Sequence, residues 1–184
     1  MTITPAFGSF FVLVHNKKAT PLFTSGKPAS EALSLLVHDG NPAALVAGYK
    51  GAPGVLSSTI FEIGSPYEGG RDPAVIKVTI SEEFPLVTIA TMALNTNDCF
   101  VSINGLKLTP GMKLDLPGLD AGVEENNELC TSIPGPACPA DSGNVKSGNG
   151  EGFVHIHRGF FGVGGALSEA EYDWRNPMVR VLVN

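Results

Sequence analysis

Two short stretches of this 184-residue chain carry side chains able to do chemistry. In Leu119-Asp-Ala-Gly-Val-Glu124, Asp120 and Glu124 lie four apart with Gly122 between them, so a tight turn brings both carboxylates to one point. Asn95-Thr-Asn-Asp98 sits between two strand-like runs and offers Asp98 as a third carboxylate, with Asn97 or a nearby carbonyl as helper. Calcium takes about six to eight oxygen ligands, usually two or three carboxylates with carbonyls and waters on a turning backbone. The chemistry of this set is therefore that of a hard divalent cation. The spacing is not that of the helix-loop-helix calcium loop, and a solvated acidic loop in which Asp98 caps a turn is the competing reading.

The second stretch is His155-Ile-His157. On a strand both imidazoles point to one side, where they can share a copper or zinc ion, with His15 or His38 completing the set. The alternative is that the pair hydrogen-bonds to loop carbonyls. Gly159-Phe-Phe-Gly-Val-Gly-Gly165 is glycine-dense but lacks the Lys-Ser/Thr of a phosphate cradle, and reads as a turn or bulge. No Gly-x-Ser-x-Gly elbow occurs, and Cys99 has no base beside it in sequence, so no nucleophile is set up for catalysis. Phe160, Phe161, Tyr172 and Trp174 have the types that stack on a sugar or lipid, and equally those of core packing.

Strands must position these loops. Residues 10–14 form an apolar run of strand length, expected to be buried on both faces. After Ser25 the pattern turns helical, with Pro28 suited to a first turn, Leu33, Leu36 and Val37 at helical spacing, and Gly40 as a stop. Asn41-Pro42 starts a second short helix that runs to Gly48. Residues 51–74 read as a long loop holding one edge strand near Ile60-Phe-Glu-Ile63. Residues 75–80 and 86–92 are β-branched and closely connected, which predicts neighbouring strands. Residues 100–103 meet Asn104-Gly105, which predicts a hairpin returning through Leu106 to Leu108. Residues 115–150 are turn-rich and polar, with no expected core, and order returns with Gly152-Phe-Val-His-Ile-His157 before a closing strand over 178–183. The expected architecture is a single all-β domain over residues 1–184, an antiparallel β-sandwich with short helices in its connections.

Composition narrows the partners. Twelve basic against eighteen acidic residues give a net charge of −6 without a basic run, which argues against nucleic acid. No run approaches the roughly 20 apolar residues of a transmembrane helix. Met1-Thr-Ile-Thr-Pro5 lacks the pattern of a secretory leader, which fits an intracellular chain or one cut after its signal. Of the cysteines at 99, 130 and 138, the last two flank a Pro/Gly turn and suit a disulfide, two reduced thiols being the alternative.

Several blocks taken together resemble the spondin domain, in its microbial single-domain branch. They are Gly26-x-x-Ala29-Ser30-x-x-Leu33 with Asp39-Gly40, then Asn95-Thr-Asn-Asp-Cys-Phe-Val101, Leu119-Asp-Ala-Gly-Val-Glu124, Ile133-Pro-Gly-Pro-Ala-Cys138, His155-Ile-His157 and Tyr172-Asp-Trp-Arg-Asn-Pro177. They fall in order over most of the chain. The resemblance implies an eight-stranded antiparallel sandwich and one calcium ion held at one end by Asp98, Asp120 and Glu124. The last of these is aspartate in animal members. It also implies a secreted, non-catalytic adhesion or matrix module whose partner is an extracellular protein, a glycan or an anionic surface.

Overall fold

The computed structural model describes residues 6–62, 74–135, 137–139, 141–143, 145–164, 167–168, 172 and 174–184. Its largest element is a six-stranded antiparallel sheet. This sheet is built from β1 (Phe10–His15), β2 (Val55–Phe61), β3 (Leu86–Met92), β4 (Cys99–Leu106), β6 (Leu119–Asp120) and β7 (His155–Ile156), in the order β2-β1-β3-β4-β6-β7. A separate pair, β5 (Lys113–Leu116) and β8 (Val179–Leu182), is antiparallel and tied at its surface by Arg180 and Asp115, whose Nε and Oδ1 lie 2.7 Å apart. The chain is thus β-rich and antiparallel, as its pattern of short strand-like runs predicts.

Helices α1 (Glu31–Asp39) and α2 (Ala43–Tyr49) fill the link between β1 and β2. α1 starts at Glu31 rather than at Pro28, the first position expected from sequence, and Ser30 caps it: its Oγ accepts the Leu33 N–H at 3.2 Å. Gly40 closes the helix at φ 63° and donates its N–H to the Leu36 carbonyl at 2.9 Å. Asn41 opens α2 by accepting the Ala43 N–H at 2.9 Å. Leu33, Leu36, Val37 and Leu45 from these helices meet Phe11 and Leu13 of β1 and Phe100 of β4 in one buried cluster. Each such side chain contributes roughly 1.5–3 kcal/mol when fully buried. β1 is therefore an interior strand, and its continuous apolar run follows from that place.

Three sequence expectations are corrected. Residues 75–80 form no strand despite their β-branched character. Both edges of β3 are already taken, by β1 and β4, so the segment before it cannot pair beside β3. Asn104-Gly105 is not a hairpin turn. β4 runs through it to Leu106, with Val87 opposite Leu106 and Ile89 opposite Ile103, so the dipeptide is a bulge facing Thr88. Gly105 sits there at φ 68° and donates its N–H to Thr88 Oγ1 at 2.8 Å, while Asn104 Nδ2 reaches the Phe23 carbonyl at 3.0 Å. The left-handed backbone the sequence signalled is present and bends the strand rather than reversing it. Lastly, the 115–150 segment contains core: Asp120, Ala121, Glu124, Glu128, Ser132, Ile133, Cys138 and Ser147 are all buried. Cys130 and Cys138 are disulfide-bonded, and Cys99 is a buried free thiol.

Candidate metal centre

Asp98 immediately precedes β4, Asp120 ends β6, and Glu124 follows four residues later. Cys99 of β4 pairs with Asp120 of β6, and Asp120 pairs with His155 of β7, so three neighbouring strands bring their ends to one place. The Ala121 N–H adds a bond to the Asp98 carbonyl at 3.3 Å. Asp98, Asp120 and Glu124 are 0%, 1% and 1% exposed, a depth at which an unpaired carboxylate is costly.

Their satisfaction is uneven. Asp98 Oδ2 accepts the N–H groups of Val123 at 2.8 Å and Glu124 at 3.1 Å, while Asp98 Oδ1 is buried without a donor. Asp120 Oδ1 accepts the Gly122 N–H at 2.8 Å and Oδ2 the Asn126 amide at 2.7 Å. Glu124 Oε2 lies 3.2 Å from the Ser147 hydroxyl, which also reaches the Glu125 carbonyl at 2.7 Å. Glu124 Oε1 touches His38 Nδ1 at 2.6 Å without the alignment of a hydrogen bond. Burial, reinforced by the charges of Asp120 and Glu124 and opposed by the two backbone N–H groups, pushes the Asp98 carboxyl up to about 7. The same burial and the two aspartates drive the Cys99 thiol well above its ordinary value, which removes it as a nucleophile at neutral pH.

The histidine pair does not act as a pair. His157 Nδ1 accepts the Gly159 N–H at 3.0 Å, which leaves the ring proton on Nε2, 3.1 Å from Asn126 Oδ1. A chain of bonds runs from Gly159 through His157 and Asn126 to Asp120. Burial lowers the His157 pKa, in keeping with a neutral ring there. His155 turns instead towards Asp120 and Glu151, with its Nε2 3.6 Å from a carboxylate oxygen of each. Burial acts to lower its pKa, but the Ile156 carbonyl and the two carboxylates outweigh that and raise it. His15 is engaged elsewhere, with Thr88 Oγ1 at 2.9 Å and the Asn16 carbonyl at 3.0 Å. His38 joins the carboxylates rather than the histidines.

Sequence reading missed Glu151, Asn126 and Ser147. Glu151 lies between Gly150 and Gly152, four residues before His155, a signal that a carboxylate shares the turn leading into the strand. Asn126 and Ser147 carry no such mark, since their contacts cross from one loop to another. Of the aromatics, Trp174 is buried against Ala93 and Cys99, Phe160 pairs with Tyr172 at 6.3 Å, and Phe161 is exposed. No helix among the described residues is long and apolar enough to cross a membrane. No protein-family model matches the chain, and no curated protein matches its sequence.

Proposed function

We propose that this chain is a non-catalytic, calcium-binding module of the spondin type, secreted and used for adhesion or matrix attachment. Calcium would be held by Asp98, Asp120 and Glu124, and the antiparallel strands would form the eight-stranded sandwich the resemblance implies. The observation that carries the reading is the donorless, fully buried Oδ1 of Asp98 beside two further buried carboxylates. An all-oxygen donor set of this charge suits a hard divalent cation, and a bound ion would offset repulsion that His38 beside Glu124 and His155 beside Asp120 offset only when protonated. Carbonyls of the turning 95–98 and 120–124 segments would supply further oxygens.

The ion would lock the loop before β4 to the loop after β6. The rim so neutralised would present a surface to an extracellular protein, a glycan or an anionic surface. Thermal unfolding in calcium against chelator tests this reading. A rise in melting temperature with calcium that disappears in Asp98→Asn is expected, because a ligand that binds only the folded state stabilises it by mass action. Identical melting curves in calcium and chelator would remove the proposal.

A further inference from the structure

We infer that Asp120, Glu151 and His155 form a second metal site, one that takes a borderline divalent transition metal such as zinc. The site goes beyond the calcium reading and does not need it, sharing only Asp120 with that site. One ligand atom from each of the three residues lies within 4.8 Å of the other two. The tautomer of His155 supplies the chemical argument. Its Nδ1 lies 2.9 Å from the Ile156 carbonyl, and a carbonyl only accepts, so Nδ1 carries the proton and the neutral ring leaves a lone pair on Nε2. That nitrogen is buried, has no hydrogen-bond partner, and faces Asp120 Oδ1 and Glu151 Oε2 at 3.6 Å each.

A proton shared between imidazole and carboxylate draws the heavy atoms to about 2.7–2.9 Å. Two ligands each about 2.0–2.2 Å from a tetrahedral ion stand roughly 3.3–3.6 Å apart, which matches the observed spacing. A ring whose far N–H is fixed by a backbone carbonyl is the usual state of a metal-bound histidine. The nitrogen donor separates this site from the all-oxygen set beside it and favours zinc over calcium.

The surroundings complete the case. Asn126 holds the second oxygen of Asp120, and His157 holds Asn126, so the carboxylate is aimed from behind. The Phe153 ring lies 5.3 Å from the His155 ring, tilted by 53° to it. Glu151 is 40% exposed, which leaves an approach from solvent and a fourth position for water.

The test is calorimetric titration of the calcium-saturated chain with zinc chloride, on the unaltered protein and on His155→Ala, Glu151→Gln, Asn126→Ala and Asp98→Asn. One zinc per chain is expected. Loss of the Asn126 support should weaken binding about 10- to 100-fold, and loss of a ligand at His155 or Glu151 should weaken it more. Asp98→Asn should still bind one zinc per chain, because none of the three zinc ligands is removed. Glu151 lies at the surface, so its variant tests the site even if a buried substitution impairs folding. Absence of zinc binding, or an affinity in His155→Ala and Glu151→Gln equal to that of the unaltered protein, overturns the site; zinc lost in Asp98→Asn but retained in His155→Ala overturns it too, by moving the ion to the calcium position. Calcium-dependent melting of His155→Ala reports the first site separately, so either proposal can fail alone.

Discussion

Asp98 accepts the backbone N–H of Glu124 at 3.1 Å, and both carboxylates are buried. One oxygen of Asp98 thus fixes the turn that carries Glu124, while the other, Oδ1, has no donor. Asp98→Asn keeps an oxygen for the Val123 and Glu124 N–H groups and removes a buried charge. In chelator the variant is expected to melt at or above the temperature of the unaltered chain. In calcium it should melt below it, having lost the ion. Differential scanning fluorimetry under both conditions reads the crossover, and a variant less stable than the parent in chelator would show that the charge itself holds the loops.

The raised pKa of Asp98 gives the metal-free protein a pH dependence of definite sign. The folded carboxyl titrates near 7, above the ordinary 3.8, so the folded state binds the extra proton between those values. Its contribution to stability is full below pH 3.8 and is lost as pH rises through 7. The slope approaches about 1.4 kcal/mol per pH unit at most. Denaturant unfolding in chelator at several pH values from 4 to 8 should therefore show this term in the parent and lose it in Asp98→Asn. A parent with the same profile as the variant contradicts the assignment.

Glu128 performs a similar service for the segment after β7. It is buried at φ 56°, and its two oxygens accept the N–H groups of Phe161 at 2.6 Å and Val163 at 2.9 Å. A carboxylate can accept at both oxygens, whereas an amide has only one. Glu128→Gln is thus expected to cost about 1–3 kcal/mol by leaving an N–H facing an NH2 group. Chemical denaturation measures it, and hydrogen exchange should show faster exchange at Phe161 or Val163. A loss below about 0.5 kcal/mol would mean that the segment is held by other contacts.

How far the sequence foretold this arrangement depends on the range of the contacts. β3 was legible in full because its β-branching coincides with an interior place in the sheet. The helices were legible from short-range stop signals such as Gly40. Residues 75–80 misled because propensity does not report whether a neighbouring edge is free, and Asn104-Gly105 misled because a bulge and a hairpin ask the same of glycine. At the site, sequence reading named Asp98, Asp120 and Glu124, and all three are buried near one another. His157 as a ligand partner of His155 is not what the geometry favours, since Gly159 and Asn126 occupy its two nitrogens. The Asn126 contact joins segments whose spacing in sequence carries no period to detect.

Gly122 is where the two proposed sites meet, and it accounts for a requirement the side chains alone do not explain. It sits at φ 67°, donates its N–H to Asp120 Oδ1 at 2.8 Å, and accepts the Gly152 N–H at 2.8 Å. A Cβ there would lie 2.4 Å from the Phe153 carbonyl oxygen and 2.6 Å from the Phe153 nitrogen, so the 150–153 backbone would have to withdraw. The left-handed conformation alone costs a non-glycine residue about 1–2 kcal/mol, and the clash adds to it. Withdrawal would carry Glu151 and His155 away from Asp120. Gly122→Ala is therefore expected to lose more than about 2 kcal/mol of stability and to weaken zinc and calcium together. Gly148→Ala is the control, since a Cβ at Gly148 meets nothing within 4 Å, and it should stay within about 0.5 kcal/mol of the parent. Urea unfolding of the two variants, followed by metal titration of each, checks both effects; a Gly122→Ala protein that unfolds and binds like the control would show that the two segments need not approach so closely.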